Sequence, residues 1–357
     1  MNPLCLLLAA ALGGFTPSNL ADIGGPIRLR NESPFQLIFM STPPIDARIP
    51  KRPRWEVEVL ESNNFNVSDT INSTPAYQAV VASSKPVPIS LSSLSATAKA
   101  NPNVIYNLSD TEITKLAVRY TRPFGNHWCG EVEVPVYTYS GGFMDPVIDA
   151  FHAAFGFNPW GRQYFPENQS QVFFGKGNSQ LAFNGQRGPN FGDITLRAIH
   201  QVRPDRHGWP AVALSTALKL PTGNRNSAMG SGCFDGDVGL HLTHHWGQSW
   251  FYGTAGANFL GGWRSMPDVP VRNTADYHLG YEYRVNNRWS TLVSLSDYGS
   301  PIAASGNQSI GQPSLLTAMT ARYNAGDYEL EFGYLEHINR NTNSHDVVLY
   351  SRIRFWP

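Results

Sequence analysis

Hydrophobic and polar residues alternate with a period of two along most of the chain beyond residue 53. That period is typical of β-strands, whose successive side chains point to opposite faces. Each alternating segment is about ten residues long, which is the length that a tilted strand needs to cross a bilayer. The twelve predicted strands are residues 53–65, 111–121, 128–140, 192–202, 209–221, 236–246, 250–261, 273–284, 289–299, 313–323, 328–338 and 346–356. An even number suits a closed antiparallel barrel made by one chain.

The links between these strands alternate between short and long. Short links are residues 247–249, 285–288 and 324–327, and long links are residues 66–110, 141–191, 222–235 and 300–312. In bacterial outer-membrane barrels, short turns face the periplasm and long loops face the outside. With the N-terminus in the periplasm, the last strand would end beside the start of the first. The sequence therefore predicts an all-β fold, a closed antiparallel transmembrane β-barrel over residues 53–357, located in the bacterial outer membrane.

Tryptophan gives an independent indication of the membrane boundary. Its amphipathic ring favours the interface between lipid and water. Seven tryptophans fall at strand ends that the alternation of links places in the periplasm, and they form a predicted aromatic girdle against outer-membrane lipid: Trp55, Trp128, Trp209, Trp246, Trp250, Trp289 and Trp356. Trp160 and Trp263 fall in the long links instead.

One face of the predicted strands carries most of the charge. Neighbouring strands have opposite charges on this face, which favours cross-strand pairing. The basic last strand lies between two acidic strands only if it also pairs with the first, so the charge order itself predicts closure. The predicted lumen charge ladder comprises Glu56, Glu58, Lys115, Arg119, Glu131, Glu133, Glu282, Arg284, Arg322, Glu329, Glu331, Arg352 and Arg354. Two interpretations remain open: a charge-lined polar conduit, or ion pairs that mainly stabilise the wall.

One short helix is predicted in the long loop after the third strand. Asp145 is a suitable N-cap, Pro146 suits the first helical position and Gly156 ends the helix. The helix presents an apolar stripe that includes Val147, Ile148, Phe151 and Phe155. It either folds into the mouth of the barrel as a constriction, or packs over the rim or the outer leaflet, or forms a plain structural cap. A hairpin of residues 171–174 and 180–183 is predicted after it.

The chain before the first strand divides into two parts. Residues 1–21 contain an apolar run from Leu4 to Leu12, too short to span a bilayer, and are interpreted as a signal peptide. Residues 22–52 form a periplasmic N-terminal segment, which either plugs the lumen or remains a loosely tethered tail. At the other terminus, the alternation up to Phe355 is similar to the signal that barrel-assembly machinery recognises, although Trp356 and Pro357 follow it.

Composition and side-chain chemistry narrow the possible functions. The formal net charge is zero, so nothing indicates a nucleic-acid partner. No stretch after the signal approaches 18 consecutive apolar residues, so strands must make any membrane crossing. No serine, histidine and acidic residue are arranged as in a hydrolase, and we expect no catalytic residue, cofactor or metal. Signal removal would leave Cys129 and Cys233, which either form a disulfide or remain unpaired.

Several segments resemble a family of Gram-negative outer-membrane barrels catalogued as domain of unknown function 3187. These segments read GPIRLRNESPFQLIF, RWEVEV, YTYSGGFMDPVIDAFHAAFG, FGDITL and ALKLPTG. The resemblance runs from about Gly25 to Phe355 and is most specific in the SGGF passage with its helix. It implies the location and the architecture, and it carries no catalytic residues to transfer.

The leading hypothesis for the function is a narrow or gated conduit for small solutes. The alternative is a sealed structural or interaction barrel that displays its long loops. A third hypothesis is a lipid-modifying enzyme that would depend on Asp149 and His152, which lie three residues apart on the predicted helix.

Overall fold

A computed structural model describes most of the chain as a single barrel. The described residues are 24–159, 161–206, 208–303, 309–338 and 343–357. The predicted signal peptide, residues 1–21, and Trp160 lie outside the described residues.

The structure contains fifteen named strands among the described residues. In chain order they are β1 (Arg54–Val67), β2 (Tyr106–Phe124), β3 (Trp128–Ser140), β4 (Gln171–Lys176), β5 (Ser179–Asn184), β6 (Arg187–Phe191), β7 (Thr195–Arg203), β8 (Ala211–Lys219), β9 (Asp235–Trp246), β10 (Ser249–Leu260), β11 (Thr274–Arg284), β12 (Trp289–Tyr298), β13 (Ser314–Asn324), β14 (Tyr328–His337) and β15 (Val347–Phe355). Three of them, β4, β5 and β6, belong to the loop after β3. The other twelve form the wall of the barrel.

The wall is closed and antiparallel throughout. Each wall strand pairs with the next, and β15 pairs with β1, so that Trp55 lies opposite Phe355 and Glu61 opposite Leu349. The predicted closed barrel of twelve strands is therefore confirmed. Strand ends lie within three residues of the predicted ones except at β2, which begins at Tyr106 instead of residue 111. The extra residues pair with β4 beyond the barrel wall, where the length of a strand need not match the thickness of a bilayer.

The two ends of the barrel differ as the link lengths predicted. We call the end with the short links the turn end and the opposite end the loop end. Four helices lie in the loops: α1 (Asp69–Asn72), α2 (Pro75–Val81), α3 (Leu91–Ala100) and α4 (Asp145–Phe155). Helix α4 is the predicted one, and it ends at Gly156 with φ 70°. The predicted N-cap is wrong by one residue, because Met144 is the N-cap and Asp145 is the first helical residue. Among the described residues, no helix is both long enough and apolar enough to span a membrane.

Helices α1 to α3 were not predicted from the sequence. They are short, and their apolar residues pack against β2 and β4 in a small core that includes Ile71, Leu94, Leu108 and Phe173. Tertiary packing stabilises helices of this length, since isolated ones are marginal in water. The hairpin β4–β5 agrees with the predicted one.

The alternation of side chains separates the two faces of the wall. Large apolar residues of the outward positions are exposed, as a surface against lipid requires, and examples are Val59, Leu240, Leu279, Val293 and Phe332. The inward positions carry most of the charged side chains, and nearly all of these are buried.

The predicted tryptophan girdle needs one correction. Five of its members are exposed on the outer surface at the turn end, namely Trp55, Trp128, Trp209, Trp246 and Trp289. The prediction is wrong for Trp250 and Trp356, which are only 8% and 2% exposed. The prediction used the position of each tryptophan along its strand and ignored parity, which determines the face to which the side chain points. Trp250 has the same parity as the buried Tyr252, and Trp356 the same parity as the buried Arg354.

The cysteines do not form a disulfide, so this alternative is wrong. Both Cys129 and Cys233 are free. Cys129 lies on the same row of the wall as Gly239, three strands away. Cys233 precedes Gly239 by six residues, which correspond to about 20 Å of extended chain. A disulfide requires Cα atoms within about 7 Å.

We expect both thiols of the native protein to be alkylated after unfolding without a reducing agent. The reason is the distance between Cys129 on β3 and Cys233, which precedes β9. Mass spectrometry of the peptides that contain Cys129 and Cys233 would check this. A peptide pair joined by a disulfide, with neither thiol alkylated, would contradict the structure.

Candidate functional site

The thirteen residues of the predicted charge ladder all occupy inward positions of the wall. Eleven are buried, and Glu133 and Arg284 are half-buried. The low polarity of the surroundings makes an unpaired charge costly at these positions. Their partners therefore decide whether the barrel interior is stable.

One arc of ion pairs crosses the seam where the barrel closes. Arg354 lies 3.3 Å from Glu56 on β1 and 2.6 Å from Glu329 on β14. Arg352 also contacts carboxylates on both sides, Glu56 at 3.6 Å and Glu331. The last strand is thus joined to the first and to its predecessor by the same type of interaction.

The arc continues on both sides of the seam. On one side, Arg322 lies 2.8 Å from both Glu331 and Glu282. On the other side, the Arg119 guanidinium lies 3.0 Å from Glu58 and 2.5 Å from Glu133. Each guanidinium bridges two strands, because its planar fork of donors can serve two carboxylates.

The sequence interpretation missed a further set of inward charges. Arg197 pairs with Asp237 at 2.8 Å, and Lys219 pairs with Asp193 at 2.5 Å and with Asp235 at 3.1 Å. The same parity argument could have identified Arg197 and Asp237. Arg197 on β7 and Asp237 on β9 are each separated by an even number of residues from other buried polar residues of the same strand.

The lumen is filled by residues 24–50, which we call the inner segment. No residue of this segment is exposed, and none belongs to a strand or helix. It begins at the turn end, where the Gly24 N–H donates to Glu329 at 2.9 Å and Arg354 donates to the Gly24 carbonyl at 2.8 Å. Further up, Arg28 forms a two-pronged ion pair with Glu131 at 2.6 and 2.7 Å.

The inner segment reverses its direction at the loop end, in a turn over residues 33–39. Arg30 holds this turn by donating to the carbonyls of Gln36, Leu37 and Phe39 at 3.2, 2.7 and 3.0 Å. The apolar side chains of the turn pack into a core with loop residues, and Phe35 stands 4.8 Å from Phe174 between ring centroids.

Polar contacts attach this turn to the loop between β14 and β15. Asn31 donates to the Asn343 carbonyl at 2.7 Å, and the Glu32 N–H donates to His345 Nδ1 at 3.3 Å. Burial lowers the pKa of the His345 imidazole to about 3, so the ring is neutral and able to accept at neutral pH. The Glu32 carboxylate itself pairs with Lys115 at 2.9 Å.

The returning half of the inner segment descends along β9, β10 and β11. The Thr42 N–H donates to Asp276 at 2.8 Å, and the Ala47 N–H donates to Thr243 at 2.9 Å. At the turn end, Arg48 lies over the ring of Trp250 at 4.2 Å, and Arg284 lies at the same distance from that ring. The misassigned tryptophan therefore contacts the inner segment instead of lipid.

Two glycines of the wall make space for the inner segment. Gly239 and Gly256 are cross-strand partners on β9 and β10 and face inward. A Cβ atom at Gly256 would lie 2.3 Å from the Thr42 Cβ, and one at Gly239 would lie 3.0 Å from the Thr42 Cγ2. Only residues without a side chain permit this close approach.

Helix α4 does not form the constriction that was one of its predicted placements. Val147, Phe151 and Phe155 are 66%, 52% and 67% exposed on the outside of the barrel. Asp145 accepts a hydrogen bond from Asn63, which occupies an outward position of β1. The apolar stripe of α4 was predictable from helical spacing, but that spacing did not indicate which surface the stripe would face. Ile148 is half-buried, and the His152 ring packs against Phe157 at 5.9 Å.

Small cavities remain beside the inner segment. One is lined by Arg30, Asn31 and Tyr298 among others, and another by Ile27 of the inner segment and wall residues such as Tyr252. The inner segment thus occupies the interior of the barrel in this structure.

The fold and its filled interior define a closed twelve-strand barrel of the outer-membrane type. A model of the family described as protein of unknown function (DUF3187) matches residues 52–355, and the chain belongs to this family. The resemblance predicted from the sequence is thereby confirmed. No curated protein sequence matches the chain.

Solved structures of outer-membrane channels have a similar fold. The COG4313 outer membrane channel from Pseudomonas putida F1 matches with a TM-score of 0.51 and 14% identity, over 88% of this chain and 99% of that one. The toluene transporter TodX of Pseudomonas putida matches with a TM-score of 0.38 and 8% identity, over 93% of this chain and 98% of that one. At 14% identity, the likeness to the COG4313 channel concerns the fold alone.

Substitution of Arg119 by Met is expected to destabilise the barrel by about 3 kcal/mol, because Glu58 and Glu133 would lose their main partner inside the lumen. The matched control is Arg122→Met on the same strand, where the side chain is exposed and the expected cost is about 1 kcal/mol or less. Urea unfolding in detergent, followed by tryptophan fluorescence, would compare them. Equal unfolding midpoints for the two variants would show that the ladder does not stabilise the wall.

Substitution of Gly256 by Val is expected to loosen the inner segment, because the added side chain overlaps Thr42. Overpacking costs about 1–3 kcal/mol, which corresponds to a roughly 5- to 150-fold larger open population. Gly253→Val is the control, since its Cβ would point outward and lie 3.7 Å from Leu242. Limited trypsin digestion with mass spectrometry would detect cleavage after Arg28 and Arg30. Unchanged cleavage rates in the Gly256 variant would contradict the close approach of Thr42 to Gly256.

Proposed function

We propose that this protein is a gated conduit for small polar solutes across the outer membrane, closed by its own inner segment. The single observation that carries this proposal is that a continuous, non-covalently held segment fills a lumen whose wall is polar and charged. The inner segment adds no strand to the wall, so it can leave without opening the barrel.

The contacts of the inner segment support a removable plug. Ion pairs and hydrogen bonds attach its two halves to the wall, for example Arg28 with Glu131 and Glu32 with Lys115. Water and ions can replace such partners once the lumen is hydrated, whereas exposing an apolar core would have a large hydrophobic cost. Apolar packing of the segment is most extensive in the turn over residues 33–39, at the loop end, and two smaller apolar clusters hold Ile27 with Leu29 and Ile45 with Ala47.

The lining that remains after release would suit a small polar solute. Both signs of charge line the wall, as the ladder shows, and release would leave Glu131 and Lys115 without their partners on the inner segment. A solute that carries both donors and acceptors would find binding groups of either kind.

The outer face of the wall supports placement in a membrane, which is part of this proposal. The exposed apolar band and the five exposed tryptophans fit a bilayer, with the turn end in the periplasm. Export by a signal peptide over residues 1–21 and insertion by barrel-assembly machinery are part of the same proposal.

A second candidate is a permanently sealed barrel that displays its loops. The observation that favours it is the length of the inner segment, which contacts Glu329 at the turn end and Asn343 at the loop end. A segment with so many buried partners could serve as a permanent core.

Single-channel recording in planar bilayers separates the two candidates. The full-length chain is expected to show rare openings, and Gly256→Val is expected to raise their frequency about 5- to 150-fold because it destabilises the closed state. Gly253→Val should behave like the unchanged protein. Each preparation is first checked for the compact electrophoretic mobility of a folded barrel.

A locked variant provides the opposite test. Thr42→Cys with Asn258→Cys places a cysteine pair where the Thr42 hydroxyl and the Asn258 side-chain oxygen are 3.0 Å apart, in a chain whose Cys129 and Cys233 are replaced by Ser. The oxidised form should be silent, and reduction should restore the openings. If folded Gly256→Val stays silent, or if the oxidised lock still conducts, the inner segment is not a gate.

A further inference from the structure

Helix α4 carries a group of large apolar side chains that none of the described residues covers. Val147, Phe151 and Phe155 follow one another at intervals of four residues, and Phe143 and Phe157 flank the helix. All five are more than half exposed. The rings pack on one another, with 4.7 Å between the centroids of Phe151 and Phe155. The polar residues Asp149 and His152 are half-buried and thus lie toward the protein.

The attachment of α4 fixes its place on the barrel. Glu112 accepts hydrogen bonds from the N–H groups of Phe143 and Met144 at 3.0 and 2.5 Å, and Asn63 donates to Asp145 at 2.8 Å. Glu112 and Asn63 are cross-strand partners with outward parity. The helix therefore starts on the same outer surface that carries the apolar band.

The height of this attachment can be estimated along β2. Leu116 is an outward apolar residue, and Glu112 lies four residues nearer to the loop end. At about 3.3 Å per residue and a strand tilt of about 40°, the two residues differ in height by about 10 Å. Thr114 and Glu61 occupy the level between them, where the outward side chains change from apolar to polar. The helix consequently lies at the level where acyl chains meet headgroups.

The helix is clamped at this level. Arg162 pairs with Asp110 at 2.7 Å and also contacts Asp145, which in turn accepts from the Asn168 N–H at 2.7 Å. A buried, charge-assisted network of this kind holds a helix end in one orientation. The apolar face is therefore presented permanently.

We propose that α4 is an interfacial helix whose phenylalanine face inserts among the acyl chains of the outer leaflet. The face continues the apolar outer surface of the wall, it carries no charge, and its height matches the interface. The insertion would anchor the loop-end rim of the barrel to the membrane. This inference uses the orientation given with the proposed function, but it does not depend on whether the barrel conducts.

Site-directed labelling tests the insertion. A chain with Cys129 and Cys233 replaced by Ser receives one cysteine at Phe151, labelled with bimane and reconstituted in phosphatidylcholine vesicles. Nitroxides attached to the acyl chain near the glycerol backbone are expected to lower the bimane fluorescence at least about twofold, as for a label at Val59 on the apolar wall. The control is a label at Ala96, an exposed position on α3, where these nitroxides should have no effect.

The other outcomes overturn the proposal. Quenching of the Phe151 label by aqueous iodide, with no effect of the lipid nitroxide, would place the helix in water. Dipolar broadening between spin labels at Phe151 of two copies, at a high lipid-to-protein ratio, would show that a second chain covers the face. In a second variant, Phe155→Glu should reduce the lipid quenching of the Phe151 label while leaving the compact mobility unchanged. Unreduced quenching in this folded variant would also contradict insertion.

Discussion

The structure depends on the rule that charges inside a low-dielectric interior must be paired. The wall of this barrel places guanidinium and carboxylate groups of neighbouring strands at alternate positions around the lumen. Arg352 and Arg354 satisfy this rule only because β1 supplies Glu56 on one side and β14 supplies Glu329 and Glu331 on the other. A barrel with its last strand displaced would leave these charges buried without partners, so closure and charge pairing select the same register.

The inner segment is part of the same electrostatic arrangement. It supplies Arg28 to Glu131 and Glu32 to Lys115, so it contributes one charge of each sign to the wall ladder. The backbone N–H groups of Gly24 and Thr42 also donate hydrogen bonds to carboxylates of the wall. Its presence thus satisfies groups that would otherwise require water, which explains how a polar lumen can be filled by a segment without regular secondary structure.

The sequence allowed the wall to be predicted because a half-buried strand has a period of two that survives in the residues themselves. The charge ladder followed from the same period, since parity assigns each charged residue to a face. Features that depend on three-dimensional position could not be obtained in this way. The inward direction of Trp250 was recoverable from parity, but the partner of its ring, Arg48, lies far away in the sequence. The surface on which α4 rests depends on the contacts of Glu112 and Arg162, which no periodicity records.

The two parts of the inner segment differ in the interactions that hold them, and this difference has a physical consequence. The two halves of the segment inside the lumen combine two smaller apolar clusters, around Ile27 and Leu29 and around Ile45 and Ala47, with polar contacts. The free energy of the polar contacts falls when water and ions compete for the partners. The turn over residues 33–39 is held by apolar packing against residues such as Phe174 and Trp263, which added water does not replace. Hydration of the lumen alone therefore weakens the polar contacts of the two halves and leaves the apolar packing of the turn in place. Under the proposed function, complete release would also need a change at the loop end, where Asn343 contacts Asn31 and His345 contacts Glu32. A gate built in this way would resist opening by salt or solute from the turn end alone.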